Sequence, residues 1–482
     1  MRKILPLFAL CFCWVSPAFA QYSVSRPSAA TATPEGATVS PQLKTDLLAL
    51  RDAALNDDYA YRQLAHLTEN IGPRPVGSPQ AEAAVSYVAD QLRKLGLEVR
   101  LEEVRAPQWI RGEETAELIE YPGQVRNTTH KIVLTALAGN VPTPAGGLTA
   151  EVVAVNSFDE LEALGREKVA GKVVLFNVYF DKRKSEANRA FEAYEEDVIY
   201  RWEGAQKAAA LGAVASLVRS VGDADFRLPH TGTSKAAGIP AAAVAAEDAT
   251  LIADLATQGK VRIHLVLASK RGPEILSHNV VADLKGSEHP EQIVLVSGHL
   301  DSWDLGTGAI DDASGVVTAL QVVQLVQKLH LHPRRTLRVV AWMNEEDGAQ
   351  GRDAYAAAHR GEFVNHVAVF ESDSGPFHPS GFMAKISPAA KAWLQPAQDI
   401  LAPISANLIE IVADSPETDI EPMAKAGVPA FGMMSDTRPY FHYHHTAADT
   451  LDKVPQRDLQ EGAAAMAVMA YAIANFPQPL PR

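Results

Sequence analysis

The chain has 482 residues, 47% of them apolar, with 58 acidic against 44 basic residues and a net charge of −14. That is enough material for more than one folded unit, and the acidic surplus excludes nucleic acid as an expected partner. The only cysteines, Cys11 and Cys13, fall in the first twenty residues, so neither a disulfide framework nor a thiolate metal site is expected.

Arg2 and Lys3, an apolar run from Ile4 to Val15 and the ending Ala18-Phe19-Ala20 form the pattern of a secretory signal, residues 1–20, cleaved after Ala20. The alternative is an uncleaved anchor, but the run is short for a bilayer span. The expectation is an exported protein, periplasmic or secreted, with no stable membrane insertion after cleavage. Without Arg2 and Lys3 it carries 42 basic against 58 acidic residues, a net charge of −16. Residues 21–42, rich in Ser, Ala, Thr and Pro, read as a flexible leader.

Helical spacing begins at Leu43 and Leu47 and continues in Tyr59–Ile71 and Ala81–Leu95, the last two joined by a Gly/Pro-rich turn from Gly72 to Pro79. Gly96 closes the third helix, and Glu98–Val104 alternates as a strand. Residues 43–104 are thus the first part of one domain. From 105 to 272 the character changes to short strands at Glu151–Val155, Lys172–Val178, Val214–Val218 and Ile239–Val244, with a helix at Gly204–Leu211. This stretch shows no paired His, Asp or Glu at a chemically suggestive spacing and reads as an inserted β-rich domain covering or shaping a cleft. The alternative is that it belongs to one large sheet.

In residues 273–482 the α/β alternation returns. Strands are expected at Asn279–Leu284, Ile293–Val296, Thr336–Trp342, Val367–Phe370 and Val428–Met433, and helices at Ala313–Leu329, Ala349–His359, Pro388–Leu401 and Gln456–Ala474. The fold class that follows is α/β, a mixed, mostly parallel sheet with helices on both faces, plus the inserted domain.

The buried strands of this half run into acids or histidine. Ile293–Val296 leads to His299, Asp301, Asp311 and Asp312; Thr336–Trp342 to Glu345 and Glu346; Val367–Phe370 to Asp373; Val428–Met433 to His442, His444, His445 and Asp449. Parallel strands present their C-terminal ends on one edge, so these groups can converge on one crevice. Imidazole with carboxylate suits Zn, Co or Mn. The adjacent carboxylates Asp311 and Asp312 repel unless a cation sits beside them. The bland alternative for that loop is a solvated turn capping the next helix. A pair of such ions would activate water and polarise a peptide carbonyl, with one carboxylate bridging and one left free as general base.

Ser297-Gly298-His299-Leu300-Asp301-Ser302-Trp303-Asp304, Asp311-Asp312, Asn344-Glu345-Glu346 and Glu371-Ser372-Asp373-Ser374-Gly375 resemble the M28 family of co-catalytic zinc exopeptidases, a likeness that extends roughly from Leu43 to Phe476. The resemblance implies two Zn²⁺ per chain, with Co²⁺ or Mn²⁺ as substitutes. His299 and Asp373 would hold one ion, Glu346 and His445 the other, and Asp311 would bridge them. Glu345 would be the catalytic base and Asp301 would orient His299. A cis peptide at Asp311-Asp312, a protease-associated-like insert and a homodimer are also implied. His444 remains an alternative to His445, and Asp436 and Asp449 either orient ligands or cap turns.

The expected function is that of an exported dizinc exopeptidase, an aminopeptidase or dipeptidase acting on dipeptides or short peptides with a free N-terminus. A carboxypeptidase or N-acyl amide hydrolase of the same metal chemistry, with Arg438 receiving a carboxylate, is the alternative, and a non-catalytic receptor-like binding protein a third. Neither Gly-x-Ser-x-Gly nor His-Glu-x-x-His occurs, which argues against a serine hydrolase and a helix-borne zinc protease.

Overall fold

A computed structural model describes residues 39–482. The expected signal and most of the expected leader lie outside the described residues. The first helix, Pro41–Ala54, is capped by the Ser40 side chain and buries Leu43, Leu47 and Leu50.

The main sheet has eight strands in the spatial order Glu98–Ile110, Lys270–Leu284, Arg335–Trp342, His289–His299, His366–Glu371, Ala430–Ser435, Pro379–Lys385, Leu408–Ile411. Its centre is parallel, where His289–His299 pairs with Arg335–Trp342 on one side and His366–Glu371 on the other, and His366–Glu371 pairs with Ala430–Ser435. The strand Arg335–Trp342 is buried along its whole length, as a doubly covered strand must be. Alternation sends Val294, Val296, Val339 and Ala341 to a core shared with the helices Ser314–Lys328 and Gln456–Asn475. Leu295, Val340 and Trp342 face the other way, onto Tyr355 and Met423. Each such valine or leucine contributes about 1.5–3 kcal/mol of burial free energy. Helices therefore cover both faces.

Two features of this sheet depart from the sequence expectation. The strands anticipated at Glu98–Val104 and Asn279–Leu284 run much further, to Ile110 and back to Lys270, as a long antiparallel ribbon. Its outer half leaves Ile110 and Leu276 exposed, so it lacks the one-sided pattern that marks a strand. The strands Pro379–Lys385 and Leu408–Ile411 are not anticipated either; the first lies between Ala430–Ser435 and the second, and the second, four residues long, forms the edge, where polar residues are tolerated.

A second eight-stranded sheet is built from residues 114–267, with the parallel run Leu148–Val155, Val173–Phe176, Ala215–Arg219, Ala241–Val244 at its heart. It has apolar clusters of its own on its two faces. It is less β-rich than expected. The helix foreseen at Gly204–Leu211 spans Ala190–Ala210, and Phe158–Val169 and Ala246–Gln258 are helical too. Trp303, from the loop after His299, meets Trp109 edge to face in this core, and Arg111 grips Asp304 at 2.8 Å. The loop that follows the central strand is thus clamped between the two sheets.

Candidate metal centre and its cleft

His299 is the last residue of its strand, and Asp311 and Asp312 precede the helix Ser314–Lys328. That helix can start against the sheet because Gly315 carries no side chain: a Cβ there would lie 1.9 Å from the Ser372 carbonyl oxygen. The Asp311-Asp312 peptide bond is cis. Asp312 turns inward, accepting the backbone N–H of His299 at 3.0 Å and of Gly315 at 2.9 Å. Asp311 is left facing the crevice. The turns after the strands Arg335–Trp342 and His366–Glu371 deliver Glu345, Glu346 and Asp373 to the same edge.

Two triads result, sharing one carboxylate. One ligand atom each from His299, Asp311 and Asp373 lie within 4.8 Å of one another, and so do those of Asp311, Glu346 and His445. His299 Nε2 is 3.0 Å from Asp311 Oδ1 and 3.3 Å from Asp373 Oδ1. His445 Nε2 is 3.2 Å from Asp311 Oδ2 and 3.0 Å from Glu346 Oε2. Asp311 Oδ2 and Asp373 Oδ1 are buried without a hydrogen-bond donor among the described residues, apart from these ring nitrogens.

The far side of each ring shows that Nδ1 carries a proton. His299 Nδ1 is 3.1 Å from the Asp301 carbonyl oxygen, and His445 Nδ1 is 3.2 Å from that of Thr231. A carbonyl only accepts, so Nδ1–H donates there. Rings kept neutral would turn two Nε2 lone pairs toward carboxylates, an arrangement that repels unless cations lie between them; with no cation, burial opposes but the carboxylates of Asp311, Asp373 and Glu346 hold both imidazoles well above their ordinary range.

His444, the alternative to His445, stacks on it at 3.7 Å between ring centroids. Its Nε2 is 3.3 Å from Asp311 Oδ2, but its Nδ1 is 3.0 Å from His230 Nε2, and only His445 also meets Glu346. His442 is half-exposed beside Asp223, 3.4 Å away. Arg438 is 60% exposed and takes Asp436 as its partner; it does not line the cleft.

Asp449 accepts the backbone N–H of Ala309 and Ile310 at 2.8 and 2.7 Å and of Asp311 at 3.3 Å, which fixes the approach to Asp311. Burial, added to the charge of Asp311, pushes its carboxyl up to about 7. Asp301 reaches the crevice differently from the expectation. Its backbone carbonyl holds the His299 ring, while its carboxylate accepts the N–H of Glu345 and Glu346 at 3.1 and 3.3 Å. Glu346 is pushed up to about 7, by burial and then by Asp311. Burial also raises Glu345 well above the usual carboxylate range, with Asp373, Asp419 and Glu346 adding to it against the opposing His299.

The triads open on a cleft of about 510 Å³, within the span of roughly 300–1,000 Å³ common for small-ligand sites. Part of its wall was not foreseen. Residues 105–272 contribute Tyr194, Arg201, Trp202 and Thr233, and the 412–420 loop contributes Glu417 and Thr418. Thr233 Oγ1 donates to the Glu346 carbonyl oxygen at 2.9 Å, and the Thr231 N–H to that of His445 at 2.9 Å. Single residues of this kind carry no local signature; only the second sheet's packing brings them here.

The sequence profile described as peptidase family M28 matches residues 279–470. Carboxypeptidase Q of Mus musculus is 38% identical over 429 residues, covering 88% of this chain and 87% of its own. The crystal structure of a peptidase M28 precursor from Shewanella amazonensis SB2B has a TM-score of 0.85 at 33% identity, over 92% of this chain and 99% of that one. BSAP, a zinc aminopeptidase from Bacillus subtilis, shares the fold at a TM-score of 0.62 and 22% identity, over 86% and 94%. With a relative 38% identical over 88% of this chain, the chain belongs to peptidase family M28 and is a metallopeptidase of that family.

Proposed function

We propose that this metallopeptidase is an exported exopeptidase of the dizinc type, acting on dipeptides or short peptides with a free α-amine. The observation that carries the reading is the pair of triads sharing Asp311, each bringing an imidazole Nε2 within 3.3 Å of two carboxylates. The donor set of nitrogen and carboxylate oxygen, with no sulfur, fits Zn²⁺ and admits Co²⁺ or Mn²⁺. His299, Asp373 and Asp311 would hold one ion, and Asp311, Glu346 and His445 the other. When bound, the ions supply Lewis acidity that lowers the pKa of water and polarises the scissile carbonyl.

The chain's own groups supply the rest. Glu345 belongs to neither triad, is half-buried and lines the cleft, so its carboxylate is free to take a proton from the attacking water and return it to the leaving amine. Asp301 fixes where that carboxylate stands by anchoring the Glu345 backbone. Beyond Asp373, Glu417 lines the cleft with an unpartnered buried Oε1. With Glu345 it makes an anionic end suited to a substrate ammonium.

The segment 105–272 is read as a separately folded insert, supported by its own sheet and its own apolar clusters. Export rests on the sequence of residues 1–20. The test is hydrolysis of matched unblocked and N-acylated dipeptides by purified protein, before chelation, after it, and after re-addition of Zn, Co or Mn. Activity should vanish on chelation, return with metal and favour the free amine. Equal hydrolysis of blocked and unblocked substrates would reject the amine requirement, and indifference to chelation would reject the metal mechanism.

A further inference from the structure

Two buried histidines belong to neither of the triads that share Asp311: His444, next to His445, and His230, from the segment 105–272. His444 Nε2 is 3.3 Å from Asp311 Oδ2, and its Nδ1 is 3.0 Å from His230 Nε2. His230 Nδ1 in turn lies 3.5 Å from Arg201 Nη1, at the limit of a hydrogen bond. From either end this chain runs one way. A carboxylate only accepts, so His444 Nε2–H donates to Asp311, and the Nδ1 of that neutral ring accepts from His230 Nε2–H. A guanidinium only donates, so Arg201 faces the His230 Nδ1 lone pair, which again leaves the proton of His230 on Nε2. By distance alone the rings of His230, His444 and His445 could hold a cation. The Arg201 guanidinium, 3.5 Å from both His230 Nδ1 and His445 Nδ1, opposes one there.

We propose that His444 and His230 are positioning residues: His444 donates to the shared carboxylate of Asp311 and His230 holds His444 in place, so that the segment 105–272 forms part of the metal centre. This rests on the dizinc reading above. Asp311 turns Oδ1 toward His299 and Oδ2 toward His445, and a carboxylate free to rotate would not keep one oxygen on each side. An N–H fixed on Oδ2 removes that freedom, as groups hydrogen-bonded to metal ligands do. The segment 105–272 is seated for the task. The Asp223 N–H donates to the Phe441 carbonyl oxygen at 3.0 Å and the Thr231 N–H to that of His445 at 2.9 Å, one bond on each side of His444. The His230 N–H donates to Ser220 Oγ at 3.0 Å. Gly222 comes so near the same stretch that a Cβ there would lie 2.9 Å from the Phe441 carbonyl oxygen. Without the His230 donor, His444 Nδ1 is left buried and unpaired and its ring is free to turn. The ion beside Oδ2, with Glu346 and His445, depends on this chain most.

The experiment compares zinc binding by the wild type, His230→Leu and His230→Gln, measured by competition with a chromophoric chelator. A glutamine side chain carries an amide N–H about where the imidazole Nε2–H stood, and a leucine carries none. His230→Leu should weaken one of the two zinc ions by about 10- to 100-fold and leave the other within about threefold, and His230→Gln should bring both to within about threefold of the wild type. Nitrogen NMR of histidine-labelled, zinc-loaded wild type gives an independent reading. The His444 ring, assigned by the loss of its signals in His444→Gln, should be neutral with its proton on Nε2. The proposal is overturned if that proton is on Nδ1, a result that needs no variant at position 230, or if His230→Leu binds both ions as the wild type does. It is also overturned if His230→Gln loses as much affinity as His230→Leu, as for a histidine that merely fills space. Uptake of fewer than two zinc ions by the wild type would instead defeat the dizinc reading itself.

Discussion

Asp301 is tied to Glu345 through the main chain: its carboxylate accepts the Glu345 N–H at 3.1 Å, while its own carbonyl receives the Nδ1–H of His299 at 3.1 Å. One residue therefore sets both the angle of an imidazole and the position of the free carboxylate. Asp301→Ala keeps the carbonyl and removes the anchor. Metal affinity or kcat/KM should fall by about 10- to 100-fold, as for other residues that orient a metal's surroundings. Zinc titration and steady-state kinetics check this; wild-type values for both would refute the anchoring role.

Glu345→Gln separates proton transfer from metal binding. The variant should keep its metal and lose about 10²- to 10⁴-fold in kcat. Loss of metal along with activity would show Glu345 to be a ligand instead.

Arg74 is fully buried and donates to the carbonyls of Leu300, Thr307, Gly308 and Gly72. The carbonyls of Leu300, Thr307 and Gly308 belong to the loop that joins His299 to Asp311, so the arginine rivets that loop from beneath and ties it to the turn at Gly72. Arg74→Met should destabilise the protein by at least about 2 kcal/mol, because buried acceptors lose their donors. Arg74→Lys should recover little, since an ammonium cannot span the same fork. Urea unfolding of the three proteins is the measurement.

Asp283 tests the sheet rather than the cleft. Burial would raise its carboxyl, but the hydrogen bonds from Arg338 at 2.7 and 3.0 Å, together with the charges of Arg338, Arg100 and Lys285, pull it down to about 2 from 3.8. The folded value lies below the unfolded one, so the stabilisation is complete above about pH 4 and fades as pH falls toward 2. It amounts to about 2 kcal/mol. The loss of stability between pH 5 and pH 2.5 should be smaller in Asp283→Asn than in the wild type. Identical pH dependence would exclude the pair as its source.

The residues at the triads were legible because each follows a buried apolar run, and parallel strands leave the chain on one edge. His299, Glu346 and Asp373 could be placed together from that rule alone. The three neighbouring histidines could not be ranked by spacing. It takes the backbone turn to send His442 outward, set His444 against His230 and bring only His445 to Glu346. Arg201 was invisible for a different reason. Glu192, Glu195, Glu196 and Asp197 interrupt the apolar period of the helix Ala190–Ala210, so only its last turns read as helical. Glu417 lies on a loop with no pattern, placed by the edge strand Leu408–Ile411 that precedes it, which the sequence pattern does not reveal either.

The most direct measurement is an anomalous difference map from crystals of the protein grown with zinc, recorded at the zinc edge. The account predicts two peaks, one among His299, Asp311 and Asp373 and one among Asp311, Glu346 and His445, with Asp311 between them. A map with no peak in either triad, or with its only peak among His230, His444 and His445, would contradict it.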